Sequence, residues 1–180
     1  MSASISKIPF VKDGETFAVG GVEFIKFPEV SGTVPAVAKD IIFSSRFGDD
    51  NALRSSDVLK KLEAEFLPKI IEAIGADNLC TIKTDLTTLD GLKPYGEMES
   101  LVSLPTFDFY RANVEVFDKH PVGRWWWLAT PESAEPHSDP DWVVCVAPSG
   151  IIYGDIYING NYGVRPFLSF NSSIFESAVQ

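Results

Sequence analysis

The segment "GRWWWLATP", residues 123–131, constrains this chain more than any other stretch, because it sets three indoles side by side. Successive side chains of an extended strand point to opposite faces. Trp125 and Trp127 therefore share one face, while Trp126 shares the other with Leu128. Three adjacent indoles arranged this way cannot form one flat ligand platform. At least one is deep core, and both faces of the strand need a substantial cover. A chain of 180 residues, 45% of them apolar, can supply that cover within one domain.

Other strands are legible from alternation and turn chemistry. "ETFAVGGVEFIKFPEV", residues 15–30, alternates around Gly20-Gly21 and predicts a hairpin with a tight turn. The apolar run Ile41, Ile42, Phe43 within residues 36–47 predicts a buried strand. Toward the C-terminus "DWVVCVAPSG", "IIYGDIYING" and "VRPFLSF" are short apolar runs separated by Pro, Gly and Asn. Pro148-Ser149-Gly150 is turn chemistry and predicts a hairpin. Asn159-Gly160 suits a type I′ turn leading toward the last strand. Pro166 lacks a donor and belongs at a strand start or on a side that pairing does not use.

Between these strand groups "SSDVLKKLEAEFLPKIIEAIGADN" places Val58, Leu59, Leu62, Phe66, Ile70, Ile71 and Ile74 at helical spacing. Ser55 or Ser56 is the expected N-cap and Gly75 the stop. Pro68 removes a backbone donor inside this run, which predicts two helices or one kinked helix with the break just before it. Residues 76–122 are turn-rich, and their second half holds a short helix or an irregular excursion covering the sheet. The order strands, helices, loops, strands predicts an α+β fold with both chain ends in the same sheet. The expected organisation is a lead at 1–14, one domain at 15–172 and a tail at 173–180.

Twenty-five acidic against 15 basic side chains give a net charge of -10, which repels phosphate backbones and anionic lipid. Direct nucleic-acid binding and membrane association are not expected. Cys80 and Cys145 form no metal or redox spacing and are expected to be free buried thiols. The opening "MSASISKIPFVKDG" has neither a basic n-region nor a long apolar stretch, so no signal peptide is expected. The site expected is cytoplasmic, within a host cell, or virion-associated.

Chemistry-bearing residues are few. Arg165 lies in an otherwise apolar strand, and its guanidinium must find carboxylates or carbonyls there. It is either an anion-binding group or an internal clamp joining the last strand to the sheet. Arg124 can stack on an indole face. His120 and His137 are the only imidazoles, and no GxSxG elbow, HExxH or phosphate-binding loop accompanies them. Glu135, His137, Asp139 and Asp141 in "EPHSDPDW", with Asp155, Asn159 and Asn161, offer ligand-binding oxygens without the ordered spacing of a calcium loop. No catalytic residue, metal ligand or cofactor is assigned.

"RWWWLATP", "VVCVAPSGIIYG" and "NYGVRPFLSF" together resemble a widespread bacterial and phage domain of unknown function related to the C-type-lectin-like fold. Its members carry a Trp-Trp-Leu-Arg-Ser-Pro-like strand, a hairpin ending in a Gly turn and a closing Gly-Val-Arg-Pro strand. "GVEFIKF" is similar to the first strand of that family, and "SSDVLKKLEAEFLPKI" to its helix. Here Ala129-Thr130 stands where Arg-Ser is usual, so any role of that arginine is lost or moved to Arg124. The resemblance implies a mixed or antiparallel sheet in which the first and last strands pair, setting "VEFIKF" beside "VRPFLSF", with one or two helices packed on it and long loops. Trp125, Trp126, Trp127, Gly163, Arg165 and Pro166 are expected to be structural.

The fold is distantly similar to formylglycine-generating oxidases as well, but their paired active-site cysteines have no counterpart here. The Glu-Pro-Asn and Trp-Asn-Asp triplets of calcium-dependent lectins are likewise absent. The function expected is a noncatalytic binding module, encoded by a phage or mobile element, that engages a protein or surface ligand through its loops. The alternative is an acidic intracellular inhibitor of a host defence enzyme, acting as a nucleic-acid mimic or by blocking a partner. A third is an enzyme using His120 or His137. Self-association stays open.

Overall fold

The computed structural model describes residues 6–178, and of the expected lead and tail, residues 1–5 and 179–180 lie outside it. The chain is α+β. β1 (Thr16–Val19) and β2 (Val22–Lys26) form the expected hairpin, and Gly20 and Gly21 both take positive φ at its turn. β3 (Thr33–Ala38) follows and then β4 (Phe43–Ser45). The strand expected around Ile41–Phe43 is thus split. Ile41 and Ile42 occupy the half-buried bend between two strands rather than a strand of their own.

Ser56 caps the helical segment, its side chain accepting from the Leu59 amide at 3.0 Å, so α1 (Asp57–Lys61) starts where capping chemistry places it. The backbone then widens into a π turn over Leu62–Phe66 and continues as α2 (Leu67–Ile74), which Gly75 ends at φ 81°. The irregularity expected just before Pro68 is thus present, as a widened turn within the helical segment rather than a gap between two helices. The Leu67 amide reaches back five residues to the Leu62 carbonyl, and this widened turn accommodates the pyrrolidine ring without ending the helix. Val58, Leu59, Leu62, Phe66, Ile70 and Ile74 all face the core.

The turn-rich middle is more regular than its sequence indicates. β5 (Ile82–Asp85) and β6 (Glu97–Ser100) pair as a separate ribbon. α3 (Phe107–Ala112), capped by Thr106, and α4 (Val114–Asp118) are the short helices that cover a sheet face. β7 (Trp126–Pro131), β8 (Trp142–Val146), β9 (Ile152–Tyr157), β10 (Tyr162–Val164) and β11 (Phe167–Asn171) complete the chain.

These strands form two principal sheets. One has the order β1-β2-β3-β11 and the other the order β4-β10-β7-β8-β9, antiparallel except where β10 runs parallel to β7. The first and last strands do share a sheet, but they do not pair. β3 lies between "VEFIKF" and "VRPFLSF", and β11 pairs with β3 from Phe167–Val37 to Asn171–Thr33. The physical reason is continuity. β3 with β11 in one sheet and β4 with β10 in the other are the same two chain segments, forming one antiparallel ribbon that bends at residues 39–42 and 165–166. Pro166 stands at that bend, outside both strands, and its carbonyl accepts from the Ala38 amide at 3.0 Å.

Gly150 closes the β8–β9 hairpin at φ 88°, its amide bonded to the Ala147 carbonyl at 2.8 Å. Asn159-Gly160 behaves otherwise than expected. The Gly160 amide bonds the Tyr157 carbonyl at 2.9 Å, placing this pair at the third and fourth turn positions, and Gly160 is not among the glycines with positive φ. That turn hands the chain from β9 at one edge across to β10, between β4 and β7.

The interior consists of two apolar clusters with β7 between them. Trp127 and Ala129 lie in the larger, with α1 and α2. Trp126 and Leu128 lie in the smaller, with Tyr110 and Phe117 of α3 and α4. Trp127 donates its indole N–H to the Ser45 carbonyl at 2.8 Å, and Trp125 is half-buried against Tyr153 and Tyr162. The chain ends also join the structure: Ile8 bridges Phe175 in parallel, and Phe175 packs on Phe17 at 5.0 Å. Cys80 and Cys145 are free, the first half-buried and the second fully buried. No helix among the described residues is long and apolar enough to cross a membrane.

Candidate functional site

The loops leaving the C-terminal end of β7 meet those from the β5–β6 ribbon and from the start of α1, and one carboxylate ties them together. Asp90 Oδ2 accepts from Ser133 Oγ at 2.6 Å and stands 2.9 Å from His137 Nδ1, while Oδ1 accepts from Thr88 Oγ1 at 2.5 Å. These donors, Ser133 first, hold the Asp90 carboxyl well below the usual carboxylate range although its side chain is 38% exposed. Beneath it Asn51 is fully buried. Its amide donates to the Ser133 and Trp142 carbonyls at 2.8 and 3.0 Å, and its oxygen accepts from Tyr95 Oη at 2.6 Å. Segments 88–95 and 132–142 are thus fastened to each other and to residue 51.

The exposed side of this assembly is acidic. Burial, then the charges of Asp155 and Asp90, push the Glu132 carboxyl upward. Burial, Asp50 and Glu135 do the same to the Tyr95 phenol. Gly154 of β9 lets this end close up, since a Cβ there would meet Leu89 Cδ2 at 3.0 Å and Glu132 Cγ at 3.7 Å.

Of the candidate residues, the structure places Glu135, His137, Asp139 and Asp141 on the single loop 132–141, with Asp155 on the neighbouring edge strand β9. The Asp141 carbonyl accepts from the Ile158 amide at 3.0 Å, which brings Asn159 to the same end, and Asn161 follows it on the exposed connection to β10. Arg124 does not join them. Its Nη2 donates to Ser44 Oγ at 2.6 Å at another part of the sheet, and the guanidinium lying over an indole is that of Arg165 above Trp126. Gly163 permits the tight approach of β10 to the 39–42 bend, where a Cβ would collide with Ile41.

This end does not arrange nucleophilic chemistry. Ser133 and His137 both bind the same oxygen of Asp90, so the carboxylate stands between hydroxyl and imidazole, whereas activation of a serine requires the imidazole in the middle. His120 Nε2 lies 2.8 Å from the Gly14 carbonyl, at a different place. Among the described residues no group of three or more His, Cys, Asp or Glu is placed to hold a metal ion.

Several members of this end were not visible in the sequence. Arg46 gathers Asp57, Asp49, Asn159 and the Gly48 carbonyl, three of them at 2.7–3.1 Å. Thr88, Asp90, Ser133 and Asn51 come from three separate segments, and only the turn-forming "TTLDG" around Asp90 carried a local signal. Comparison with protein-family models, with curated proteins and with solved structures finds no match to this chain.

Proposed function

We propose that this protein is a noncatalytic binding module, a variant of the C-type-lectin-like scaffold, that engages a protein or surface ligand through the acidic end built from loops 85–95 and 132–141. The observation that carries this reading is the Asp90 bracket. Ser133 and His137 spend their hydrogen bonds on fixing one display loop to the other while Thr88 braces Asp90 within its own, and none is left aligned for proton transfer. The lectin-like assignment rests on motif resemblance, on chain-terminal strands sharing one curled sheet, and on the long excursion between β4 and β7. A phage or mobile-element origin, and a virion or cytoplasmic location, belong to the same resemblance.

A second reading is favoured by the clustering of Glu132, Asp155, Asp90 and Glu135: the acidic end occupies a basic groove of a host enzyme. One experiment serves both. A photocrosslinking residue at position 135 is compared with one at exposed Glu72 on α2, in lysate and in purified particles. A defined adduct from position 135 alone, lost in the Asp139→Lys/Asp141→Lys variant, supports the acidic-end reading, and the source of the adduct separates virion from enzyme partner. Equal crosslinking from both positions, or adducts indifferent to charge reversal, overturns it.

A further inference from the structure

At the bend where the β3–β11 ribbon becomes the β4–β10 ribbon, Arg165 is only 1% exposed. Its Nε donates to the Ala38 carbonyl at 3.0 Å and its Nη2 to the Lys39 carbonyl at 2.9 Å, so one fork of the guanidinium is spent on the backbone of the opposite strand. The ring of Trp126 lies 4.6 Å from the guanidinium carbon and that of Phe117 5.4 Å. Among the described residues Arg165 has no salt-bridge partner, and its Nη1 has no hydrogen-bond partner. No fully enclosed side-chain nitrogen is left unpaired anywhere in that set, so Nη1 is not completely enclosed. The space available is a cavity of about 310 Å³ that Arg165 lines, open on one side beside the 148–150 turn.

We propose that this cavity binds a small monoanionic carboxylate with an apolar body, its carboxylate on the free edge of the Arg165 guanidinium and its body along Trp126, Phe117 and Val122. A desolvated cation with unspent donors is a strong recognition element, and an entering carboxylate gives it the direct ion pair the fold leaves unmade, since Asp40 acts on it only from beyond salt-bridge distance. The volume is at the lower end for small-molecule sites, and the lining sets Phe117, Val122 and Trp126 beside the polar Tyr110, Asp118 and Ser149. Charge limits the ligand further. A single cation faces the cavity, Asp118 stands at its rim, and the chain as a whole carries -10, so dianions and polyphosphates are repelled while a monoanion is tolerated. The rim is fixed rather than loose: Tyr110 Oη donates to the Gly150 carbonyl at 2.9 Å, and a Cβ on Gly150 would meet Asp118 and that phenol at 3.4 Å. This site lies at the opposite end of β8 from the acidic loops and is independent of them.

The test is a titration of the isotopically labelled protein, at mildly alkaline pH, with benzoate and isovalerate, against benzamide as the neutral isostere and inorganic phosphate, there chiefly the dianion, followed by the Trp126 indole and the Ser149 and Gly150 amide resonances. The expected result is saturable shifts with at least one carboxylate, binding weaker by about tenfold or more for benzamide, and none with phosphate. Arg165→Met is expected to abolish the shifts. Val122→Trp, which fills the cavity without replacing Arg165, is expected to block binding while leaving the remaining spectrum native, so the test stands even if the arginine variant does not fold. Benzamide equal to benzoate, preference for phosphate, binding that survives Val122→Trp, or no saturation by either carboxylate overturns the proposal.

Discussion

Arg165 and Asp90 anchor the two least regular parts of this molecule, and they are satisfied in opposite ways. Arg165 is buried with two backbone carbonyls, two aromatic faces and no carboxylate within salt-bridge distance, Asp40 acting on it only from farther off, whereas Asp90 is 38% exposed with three side-chain donors converging on it. Burial pulls the Arg165 guanidinium down to about 10, and the donors pull the Asp90 carboxyl down as well. The first shift marks a charge that the fold opposes; the second marks a charge that the fold favours. A bracket such as Asp90 is explained by the loops it holds. A buried cation without a direct ion pair at the corner between two sheets is not explained by stability alone.

The largest effects are expected on the corner side. Trp127→Ala removes a fully buried indole and its bond to Ser45, and should cost about 3–5 kcal/mol, enough to unfold a marginally stable domain, as chemical denaturation would show. Trp126→Ala should do the same from the other face, whereas Trp125→Ala, at a half-buried position, should leave a folded protein. If Trp126→Ala folds normally, the two-cluster description of the core fails.

The next effect distinguishes the arginine's bulk from its charge. Arg165→Ala opens a hole at the bend and leaves two carbonyls without their donors, a loss of about 2–4 kcal/mol. Arg165→Met restores most of the volume and removes the burial penalty, so its loss should be clearly smaller, measured in the same denaturation series. A Met variant more stable than the natural protein would sharpen the contrast, because the guanidinium would then persist against stability. A Met variant as damaged as the Ala variant would reduce Arg165 to an ordinary clamp.

Asn51→Ala comes third. It leaves the Ser133 carbonyl and the Tyr95 phenol without their partner and takes one of two donors from the Trp142 carbonyl, which keeps the Glu132 amide, and should cost about 1–3 kcal/mol. Accelerated hydrogen exchange should be confined to segments 88–95 and 132–142. Exchange that spreads through β2 and β3 would mean that the acidic end and the corner do not behave as separate regions.

The corner and the loop end were unequally legible in the sequence. Alternation separated Trp126 from Trp127, the Gly20-Gly21 and Pro148-Ser149-Gly150 turns declared their hairpins, and Ser56 and Gly75 bounded the helix, because each of these is decided within a few residues. What failed depends on distance. No local pattern says that β3 inserts between β2 and β11, since strand order is set by which ribbon edges remain free after folding. Asn159-Gly160 carries the right dipeptide for a hairpin, yet the chain it leads to pairs elsewhere. Pro68 was a fair warning of irregularity, but the response, one widened turn, depended on how the helix packs. Glu135, His137, Asp139 and Asp141 were visible as a polar loop, while Asp90, the residue that fixes that loop, comes from more than forty residues earlier, where a lone aspartate in a turn looks like any other. Arg165 was conspicuous as a charge in an apolar strand, but whether carboxylates or carbonyls would meet it lay beyond the sequence.

The smallest effect separates the two regions by pH. The Asp90 carboxyl is lowered in the folded chain, so what it contributes is present above its ordinary value of 3.8 and is lost as pH falls below that. Asp85 and Asp49 are lowered too and add losses of the same sign, whereas Glu132 is raised, so acid relieves rather than weakens its position. Asp90→Asn keeps the shape but removes the charge that Ser133, Thr88 and His137 address. At neutral pH this variant should unfold almost where the natural protein does, because a bracket this exposed adds little to global stability, yet protease should cut more readily between residues 132 and 141. Lowering the pH from about 5 to about 3 should raise that cleavage in the natural protein and change it much less in the variant. The corner should not respond, because Arg165 keeps its charge throughout that range, so cleavage or exchange appearing there in the same window would end the distinction between a charge held by its surroundings and one held in spite of them.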